Sequence, residues 1–357
     1  MNMTFRWYGR DNDTVTLEQV KQIPNVKGIV WALHRKPAGE VWETDEIKSE
    51  VEYIESFGFH ADVVESVNIH ESIKLGNNER GIYIENYKET IRNLGGFGVK
   101  VICYNFMPVF DWTRTDLYRA LPDGSTALFY EKNKVENLDP QDLIKTVSDA
   151  SDLTLPGWEP ERMSRIKELF AAYQDISAED LWDNLRYFLQ EILPVAEEAG
   201  IKMAIHPDDP PWSIFGLPRI MTGEDSLHKL LSISDSPSNG ITFCTGSLGA
   251  NPQNDMVKLA AKFAQRSPFA HIRNVKIFNN GDFVETSHLT ADGSINIKGV
   301  VKELSEIQYE GYVRPDHGRH LWGEECRPGY GLYDRALGIM YLHGLWDAYQ
   351  SVKQGEC

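Results

Sequence analysis

The sequence predicts an α/β fold, a single (β/α)8 TIM barrel with a long insertion after the fourth strand, and two observations support this prediction. Eight short apolar runs of strand character recur along the 357 residues, each followed by a helical pattern. Several of these runs are nearly continuously apolar, as parallel strands are when helices cover the sheet. Polar residues able to do chemistry also fall repeatedly at the carboxyl ends of the runs, where barrel enzymes build their active sites.

The predicted strands are spaced regularly except at the insertion. They are Phe5–Tyr8, Gly28–Leu33, Ala61–Val67, Lys100–Phe106, Lys202–His206, Ile241–Thr245, His271–Lys276 and Tyr312–Asp316. Alternating strands and helices also fit a doubly wound open sheet. No GxGxxG motif follows the first strand. Because that motif marks dinucleotide-binding sheets, its absence favours the barrel.

The predicted helices follow from apolar spacing and from residues that start or end helices. Ser177–Ala199 opens with the capping-box spacing of Ser177 and Asp180, and a glycine follows its end. The other clear helices are Thr44–Phe57, Tyr83–Leu94 ending at a glycine pair, and the final Tyr333–Tyr349. Residues 107–176 are rich in Asp, Pro, Trp and Tyr. An insertion of this length predicts a lid or a subunit contact within one domain spanning residues 1–357.

Charge and composition exclude several classes of function. Lys and Arg number 36 against 53 Asp and Glu, a net charge of −17, which repels the phosphates of nucleic acids. No apolar stretch reaches the roughly 20 residues that span a bilayer, so no membrane association is expected. The first residues lack the apolar region of a signal peptide. The four cysteines, Cys103, Cys244, Cys326 and Cys357, form no CxxC pair and indicate a cytoplasmic protein.

Four residues that commonly bind metals fall in the last four predicted strands. His206 and Cys244 stand at the ends of the fifth and sixth, His271 begins the seventh, and Asp316 ends the eighth. In a closed barrel these strand ends are neighbours, so two imidazoles, a thiolate and a carboxylate could bind a divalent metal. Each residue alone also has a structural explanation, as a hydrogen-bonded histidine, a small buried cysteine or a turn aspartate. The spacing therefore leaves a metal site and a structural role both open.

Beyond this spacing, the chain resembles the mannonate dehydratases, which convert D-mannonate into 2-dehydro-3-deoxy-D-gluconate and water in hexuronate catabolism. The resemblance covers nearly the whole chain and is specific because many short motifs occur in one order. Its segments are Phe5–Gly9, Ala32–His34, Gly39–Trp42, Glu65–Val67, His70–Lys74, Val101–Arg114, His206–Pro211, Arg314–Gly318 and Pro328–Tyr330.

The resemblance implies a barrel of the xylose-isomerase-like type with a Mn²⁺ or Fe²⁺ site. The implied ligands match the four residues that the spacing had selected, His206, Cys244, His271 and Asp316. The acid and base of the family would fall on His317 and Tyr330, so that Asp316, His317 and Tyr330 form the catalytic group. The implied partner is a sugar acid, D-mannonate, and the aromatic-rich insertion predicts a homodimer.

Dehydration of a sugar acid removes the proton on C2 and the hydroxyl on C3, which requires a base, an acid and a cation near the carboxylate. His317 suits the base and Tyr330 the acid, because tyrosine has a reference pKa near 10, although the reverse assignment stays open. The substrate anion also needs fixed cations. Arg273 and Arg6 are the first candidates, with Asn105 and His70 as further substrate contacts, and a rim salt bridge is the structural alternative for Arg6.

Three other functions compete with this interpretation. A metal-dependent sugar isomerase or epimerase would use the same barrel, because fold alone does not decide function. The Cys244 ligand and the Arg273 cation favour a sugar acid over a neutral sugar. A metal-dependent phosphodiesterase is opposed by the acidic composition. A sugar-acid-binding or scaffold protein would hold a closed structural metal site and show no turnover.

Overall fold

The computed structural model describes residues 1–136 and 166–354, and within these ranges eight parallel strands close into a barrel. The described strands are β1 (Asn2–Arg6), β2 (Gly28–Trp31), β3 (His60–Glu65), β4 (Val101–Tyr104), β5 (Asp116–Ala120), β6 (Thr126–Tyr130), β7 (Lys202–Ile205), β8 (Asn239–Cys244), β9 (Phe269–His271), β10 (Val275–Ile277), β11 (Phe283–Glu285) and β12 (Tyr312–Arg314). The order around the barrel is β1-β12-β9-β8-β7-β4-β3-β2. The predicted barrel is thereby confirmed.

Helices connect the barrel strands and cover their outer side. They are α1 (Leu17–Val20), α2 (Thr44–Ser56), α3 (Glu71–Leu75), α4 (Arg80–Gly96), α5 (Lys132–Glu136), α6 (Ile166–Tyr173), α7 (Ala178–Glu198), α8 (Glu224–Ser232), α9 (Thr245–Gly249), α10 (Met256–Phe263), α11 (Ile297–Glu306) and α12 (Leu332–Gln354). Ser177 caps α7 and forms the predicted capping box with Asp180. Because side chains alternate along a strand, one set packs inside the barrel and the other against the helices. One buried apolar cluster on these strands consists of Val30, Val63, Val101, Cys103, Ala204 and Phe269.

A second, antiparallel sheet adjoins the barrel, in the order β10-β11-β6-β5. β5 and β6 come from the insertion, and β10 and β11 follow the seventh barrel strand. The predicted strand His271–Lys276 is therefore wrong in its extent, because the barrel strand ends at His271 and the chain enters the second sheet at Val275. Between them the backbone of Arg273 bonds to the Thr245 hydroxyl, as N–H donor at 2.9 Å and as C=O acceptor at 2.6 Å.

Other boundaries also differ from the predictions. The first strand lies at Asn2–Arg6 rather than Phe5–Tyr8, so that Arg6 is its last residue. Helix α4 runs through the glycine pair that was expected to end it. A Cβ on Gly95 would stand 2.8 Å from the Cβ of Ala199, so glycine here allows close packing against the end of α7.

The described part of the insertion consists of β5, β6, α5 and α6, while residues 137–165 and Cys357 lie outside the described residues. The lid or subunit-contact role of residues 107–176 stays a prediction. Within the described ranges no helix is both long and apolar enough to cross a membrane. Cys103, Cys244 and Cys326 are free cysteines.

Candidate active site

A cavity of about 520 Å³ opens at the carboxyl ends of the barrel strands. This is the end at which TIM-barrel enzymes carry their active sites. The predicted site residues that line it are Arg6, Asn105, His206, Asp316, His317 and Tyr330. Cys244 and His271 are fully buried beside this wall, each within a few ångströms of Asp316. The structure thus brings most of the predicted site together.

The four predicted metal ligands form one cluster, with one ligand atom from each residue and all four atoms within 4.8 Å of one another. His206 Nε2 lies 3.2 Å from His271 Nδ1, and Asp316 Oδ2 lies 3.7 Å from that nitrogen and 3.6 Å from Cys244 Sγ. Ligand atoms that lie about 2.1 Å from a tetrahedrally coordinated metal are roughly 3.4 Å from one another. The donor set and its spacing therefore fit a divalent metal ion.

Neighbouring strands of the barrel place these ligands. Cys244 and His271 are the last residues of β8 and β9 and pair across the sheet, and His271 also pairs with Arg314 at the end of β12. His206 directly follows β7, and Asp316 stands two residues after β12. Because β7, β8, β9 and β12 are consecutive around the barrel, four strand ends supply one ligand each.

Polar groups around the cluster fix the orientation of its ligands. His206 Nδ1 lies 2.7 Å from the Pro207 carbonyl, which can only accept, so this nitrogen carries the proton and Nε2 faces the cluster. The N–H of Ser247 donates to Cys244 Sγ at 3.4 Å. Both Asp316 oxygens have arginine partners, Arg314 Nη1 at 2.8 Å and Arg273 Nε at 2.7 Å. The ligands are therefore held in place by the protein itself.

Burial and charge set the protonation of the ligands. Burial raises the pKa of Asp316, but Arg314 and His317 outweigh it and hold this pKa well below its usual value. Burial, reinforced by Arg314, lowers the pKa of His271 well below its usual value. Burial also lowers the pKa of His206, but Cys244 and nearby carboxylates outweigh it and raise the pKa to about 9. An ionised Asp316 and a neutral His271 are the forms that bind metals, whereas His206 must release a proton from Nε2 when a metal binds.

A second group of possible ligands lies beside the first and shares His271 with it. Glu65, Cys103 and His271 each offer one ligand atom, and these three atoms lie within 4.8 Å of one another. Burial, with Glu65 nearby, raises the pKa of Cys103 well above its usual value, so its thiol keeps its proton. Glu65 is already paired with Arg314, at 2.9 Å. The set of four is the better metal site among the described residues because it offers more ligands.

The predicted acid and base lie next to each other on the cavity wall. His317 Nε2 and the Tyr330 hydroxyl are 3.0 Å apart, and both side chains are buried. The Trp112 ring packs at 4.8 Å from the imidazole. Burial, followed by the nearby Tyr8 and Asp316, raises the pKa of Tyr330 well above its usual value. The Tyr330 hydroxyl therefore keeps its proton at neutral pH.

A buried network of arginines and carboxylates supports this pair, and of its members only Arg273 was singled out from the sequence. Arg114 donates to Asp209 Oδ1 at 2.7 Å and to Glu285 Oε1 at 2.8 Å. Arg273 bonds to the same two carboxylates, and Glu285 Oε1 lies 3.3 Å from His317 Nδ1. Arg114 and Asp209 lie within recognised motifs, which was an available signal. Glu285 lies in a three-residue strand of the second sheet and had none.

The predicted substrate-binding residues differ in position. Arg6 lines the cavity, with its guanidinium 4.3 Å from the centre of the Tyr8 ring and its Nη2 3.1 Å from His34. Asn105 also lines the cavity, and its Oδ1 accepts the N–H of Met107 at 3.3 Å. Arg273 is enclosed by carboxylates and lies behind Asp316, outside the cavity lining. His70 caps α3, stacks on Tyr83 and is likewise outside the lining.

The fold and the site together define a TIM barrel with a candidate metal centre at the carboxyl end of its strands. A crystallised D-tagatose 3-epimerase-like protein shares this fold, with a TM-score of 0.56 at 16% identity over 98% of this chain and 99% of its own.

Comparisons at higher identity identify the family. The family model for D-mannonate dehydratase (UxuA) matches residues 1–356. The mannonate dehydratase of Bacillus subtilis (strain 168) is 76% identical over 356 residues, covering 100% of this chain and 99% of that protein. The crystal structure of mannonate dehydratase from Streptococcus suis serotype 2 superposes with a TM-score of 0.89 at 46% identity, covering 99% of this chain and 96% of that one. The chain belongs to the D-mannonate dehydratase family.

Proposed function

We propose that this chain is a hydro-lyase that dehydrates D-mannonate to 2-dehydro-3-deoxy-D-gluconate and water in hexuronate catabolism. One observation carries the proposal beyond family membership. The four ligand atoms of His206, Cys244, His271 and Asp316 lie together beside the hydrogen-bonded His317–Tyr330 pair, at the wall of one cavity. A metal site next to an acid and a base is what elimination beside a carboxylate requires.

His206, Cys244, His271 and Asp316 would hold the ion, for which we propose Mn²⁺ or Fe²⁺ as the family resemblance implies. When bound, the ion supplies a Lewis acid that stabilises negative charge on the carboxylate and the 2-hydroxyl of the substrate. Metal analysis of the protein as purified, with the two metals added back separately, tests which ion supports turnover.

In the proposed reaction His317 and Tyr330 move the protons. His317 Nε2 takes the C2 proton, and Tyr330 gives its hydroxyl proton to the departing C3 hydroxyl, which leaves as water. The high pKa of Tyr330 supports its role as the acid. The resulting enol tautomerises to the 2-keto product when its 2-hydroxyl loses a proton to water and C3 gains a proton from water. The 3.0 Å contact between the two residues allows the proton on His317 to restore Tyr330, so that both begin the next cycle unchanged.

Arg6 and Asn105 are the proposed substrate contacts, because both line the cavity. Arg6 places a fixed positive charge near the site, as an anionic substrate requires in a chain of net charge −17. The guanidinium of Arg273 is occupied by Asp209, Glu285 and Asp316, so we propose that it positions Asp316 rather than the substrate. We assign no substrate contact to His70.

The decisive experiment strips the protein with a chelator, restores Mn²⁺ and measures 2-keto-3-deoxy acid formation from D-mannonate, beside the Cys244→Ala variant. Product that depends on the metal and disappears in the variant is the expected result. A wild-type protein that binds the metal and forms no product contradicts the proposal. Neutral sugars tested in parallel detect the alternative isomerase or epimerase activity.

We also propose a cytoplasmic homodimer. The free cysteines of the described residues accord with a reducing compartment. The homodimer rests on the aromatic-rich insertion alone. Light scattering coupled to gel filtration tests it, with a mass of twice 40.6 kDa expected and a monomer mass contradicting it.

A further inference from the structure

We infer that Glu285 is a positioning residue, which orients His317 and fixes the nitrogen that faces the substrate. Glu285 belongs to β11 in the second sheet, whereas His317 follows β12 in the barrel. The inference deepens the proposed function and rests on it, because it concerns the residue assigned there as the base.

The contact itself determines the tautomer of His317. Glu285 Oε1 lies 3.3 Å from His317 Nδ1, and a carboxylate oxygen can only accept. Nδ1 therefore carries the proton when the ring is neutral. The lone pair is then on Nε2, the nitrogen 3.0 Å from the Tyr330 hydroxyl, so that Tyr330 donates to His317 while no substrate is bound. A proton on Nε2 instead would leave the ring unable to take a proton from the substrate at that nitrogen.

Glu285 is held firmly enough to impose this orientation. Its side chain has no exposed surface, and Arg114 and Arg273 both donate to the oxygen that accepts from His317. Burial raises the pKa of Glu285, but Arg273, His317 and Arg114 outweigh it and lower the pKa to about 2. The carboxylate thus stays ionised at neutral pH and acts only as an acceptor.

Among the residues that the structure describes, the other neighbours of His317 do not supply this contact. Asp316 Oδ1 is 3.9 Å away and faces Nε2 rather than Nδ1, beyond hydrogen-bond distance. Trp112 packs against the ring without bonding to it. Carboxylates that hold a histidine by its second nitrogen commonly affect rates strongly, by roughly 100-fold or more when the tautomer is lost.

Two variants separate the hydrogen bond from the charge. Glu285→Met and Glu285→Gln both remove the negative charge and keep the side-chain length, but only glutamine retains an oxygen that accepts from Nδ1. We expect kcat to fall about 100-fold or more in E285M and to recover at least about tenfold in E285Q, with KM within about threefold and metal content unchanged. Equal losses in both variants, or loss of metal together with kcat, would assign the effect to charge or folding and overturn the inference.

The tautomer can be observed without turnover. Histidine labelled with ¹⁵N in the ring, in zinc-loaded protein at a pH where the ring is neutral, reports which nitrogen carries the proton. The His317 signal is assigned by its absence in His317→Asn. We expect Nδ1–H in the wild type and in E285Q, and loss of this preference in E285M. Nε2–H in the wild type overturns the inference whatever the activity.

The two readouts distinguish the failure of this inference from that of the proposed function. If the wild-type protein does not dehydrate D-mannonate, the proposed function is contradicted. The ¹⁵N spectra still decide whether Glu285 fixes the tautomer of His317. If E285M does not fold, Glu285→Asp replaces it, because aspartate keeps the charge for the arginines and withdraws its oxygen from Nδ1. Wild-type kcat and an unchanged tautomer in E285D then overturn the inference.

Discussion

Tyr330 and Tyr87 both line the cavity, yet their hydroxyl groups have different partners. The Tyr330 hydroxyl lies 3.0 Å from His317 Nε2, whereas the Tyr87 hydroxyl donates to the carbonyl of Val67 at 3.2 Å. The Tyr330 hydroxyl therefore lies beside the proposed base, whereas the Tyr87 hydroxyl links α4 to the segment after β3. At the scale of single residues, the neighbour of a group decides what it can do.

Tyr330→Phe tests the role of the acid, because it removes one oxygen and keeps the ring. We expect kcat to fall by about 100-fold or more, the usual range for loss of a general acid, with metal content unchanged. Tyr87→Phe is the matched control and should stay within about threefold of the wild type. Steady-state kinetics with D-mannonate on both variants makes the measurement, and similar kcat values for the two would contradict the assignment.

The grouping of the four candidate metal ligands could be predicted from the sequence because each lies at a boundary of a predicted strand. A polar residue that closes an apolar run, as His206 and Cys244 do, is visible without a structure. The approach of Glu285 to His317 could not be predicted in this way. This contact depends on the three-residue strand β11, which pairs with a distant part of the chain. Phe283 of β11, for example, pairs with Tyr130 of β6. No local pattern encodes that contact.

At the scale of elements, the same contrast separates the two sheets. The barrel strands were predictable because their runs are almost wholly apolar and buried. Only one of the five residues of β5 is buried, and only one of the three residues of β10 is buried. Runs this short do not differ from turns in a single sequence. The second sheet forms because β6 of the insertion pairs with β11 of the segment after β9.

Arg114 connects these elements and provides a stability test. It stands before β5, is fully buried, and pairs with Asp209 after β7 and with Glu285 on β11. Arg114→Met removes one of the two arginine partners of these buried carboxylates, the other being Arg273. Breaking a buried ion pair typically costs about 3–5 kcal/mol of unfolding free energy. Arg119→Met in the same segment is the control, because Arg119 is 40% exposed and pairs with Asp116 at the surface.

The control should lose less than about 1 kcal/mol, since water already screens an exposed pair. Urea unfolding of both variants measures the two free energies. Equal losses would mean that the buried network does not hold the second sheet to the barrel.

At the scale of the whole molecule, half of the barrel strands contribute a residue to the ligand cluster. Its residues come from four strands that are consecutive around the closed sheet, β7, β8, β9 and β12. An ion that binds this cluster binds the folded chain and not the unfolded one. Binding therefore adds to global stability by mass action, about 4 kcal/mol when the free ion is a thousandfold above its dissociation constant.

Thermal unfolding of the chelator-stripped protein with and without added Mn²⁺ measures this linkage. We expect the ion to raise the Tm of the wild type by several degrees, on the order of 5–10 °C, because about 1 kcal/mol corresponds to roughly 2 °C in a chain of this size. Cys244→Ala should abolish the rise. Cys103→Ala is the matched control, since Cys103 is also buried beside the cavity but belongs to the second ligand group. The rise should persist in C103A, and the opposite pattern would place the ion at Glu65, Cys103 and His271 instead.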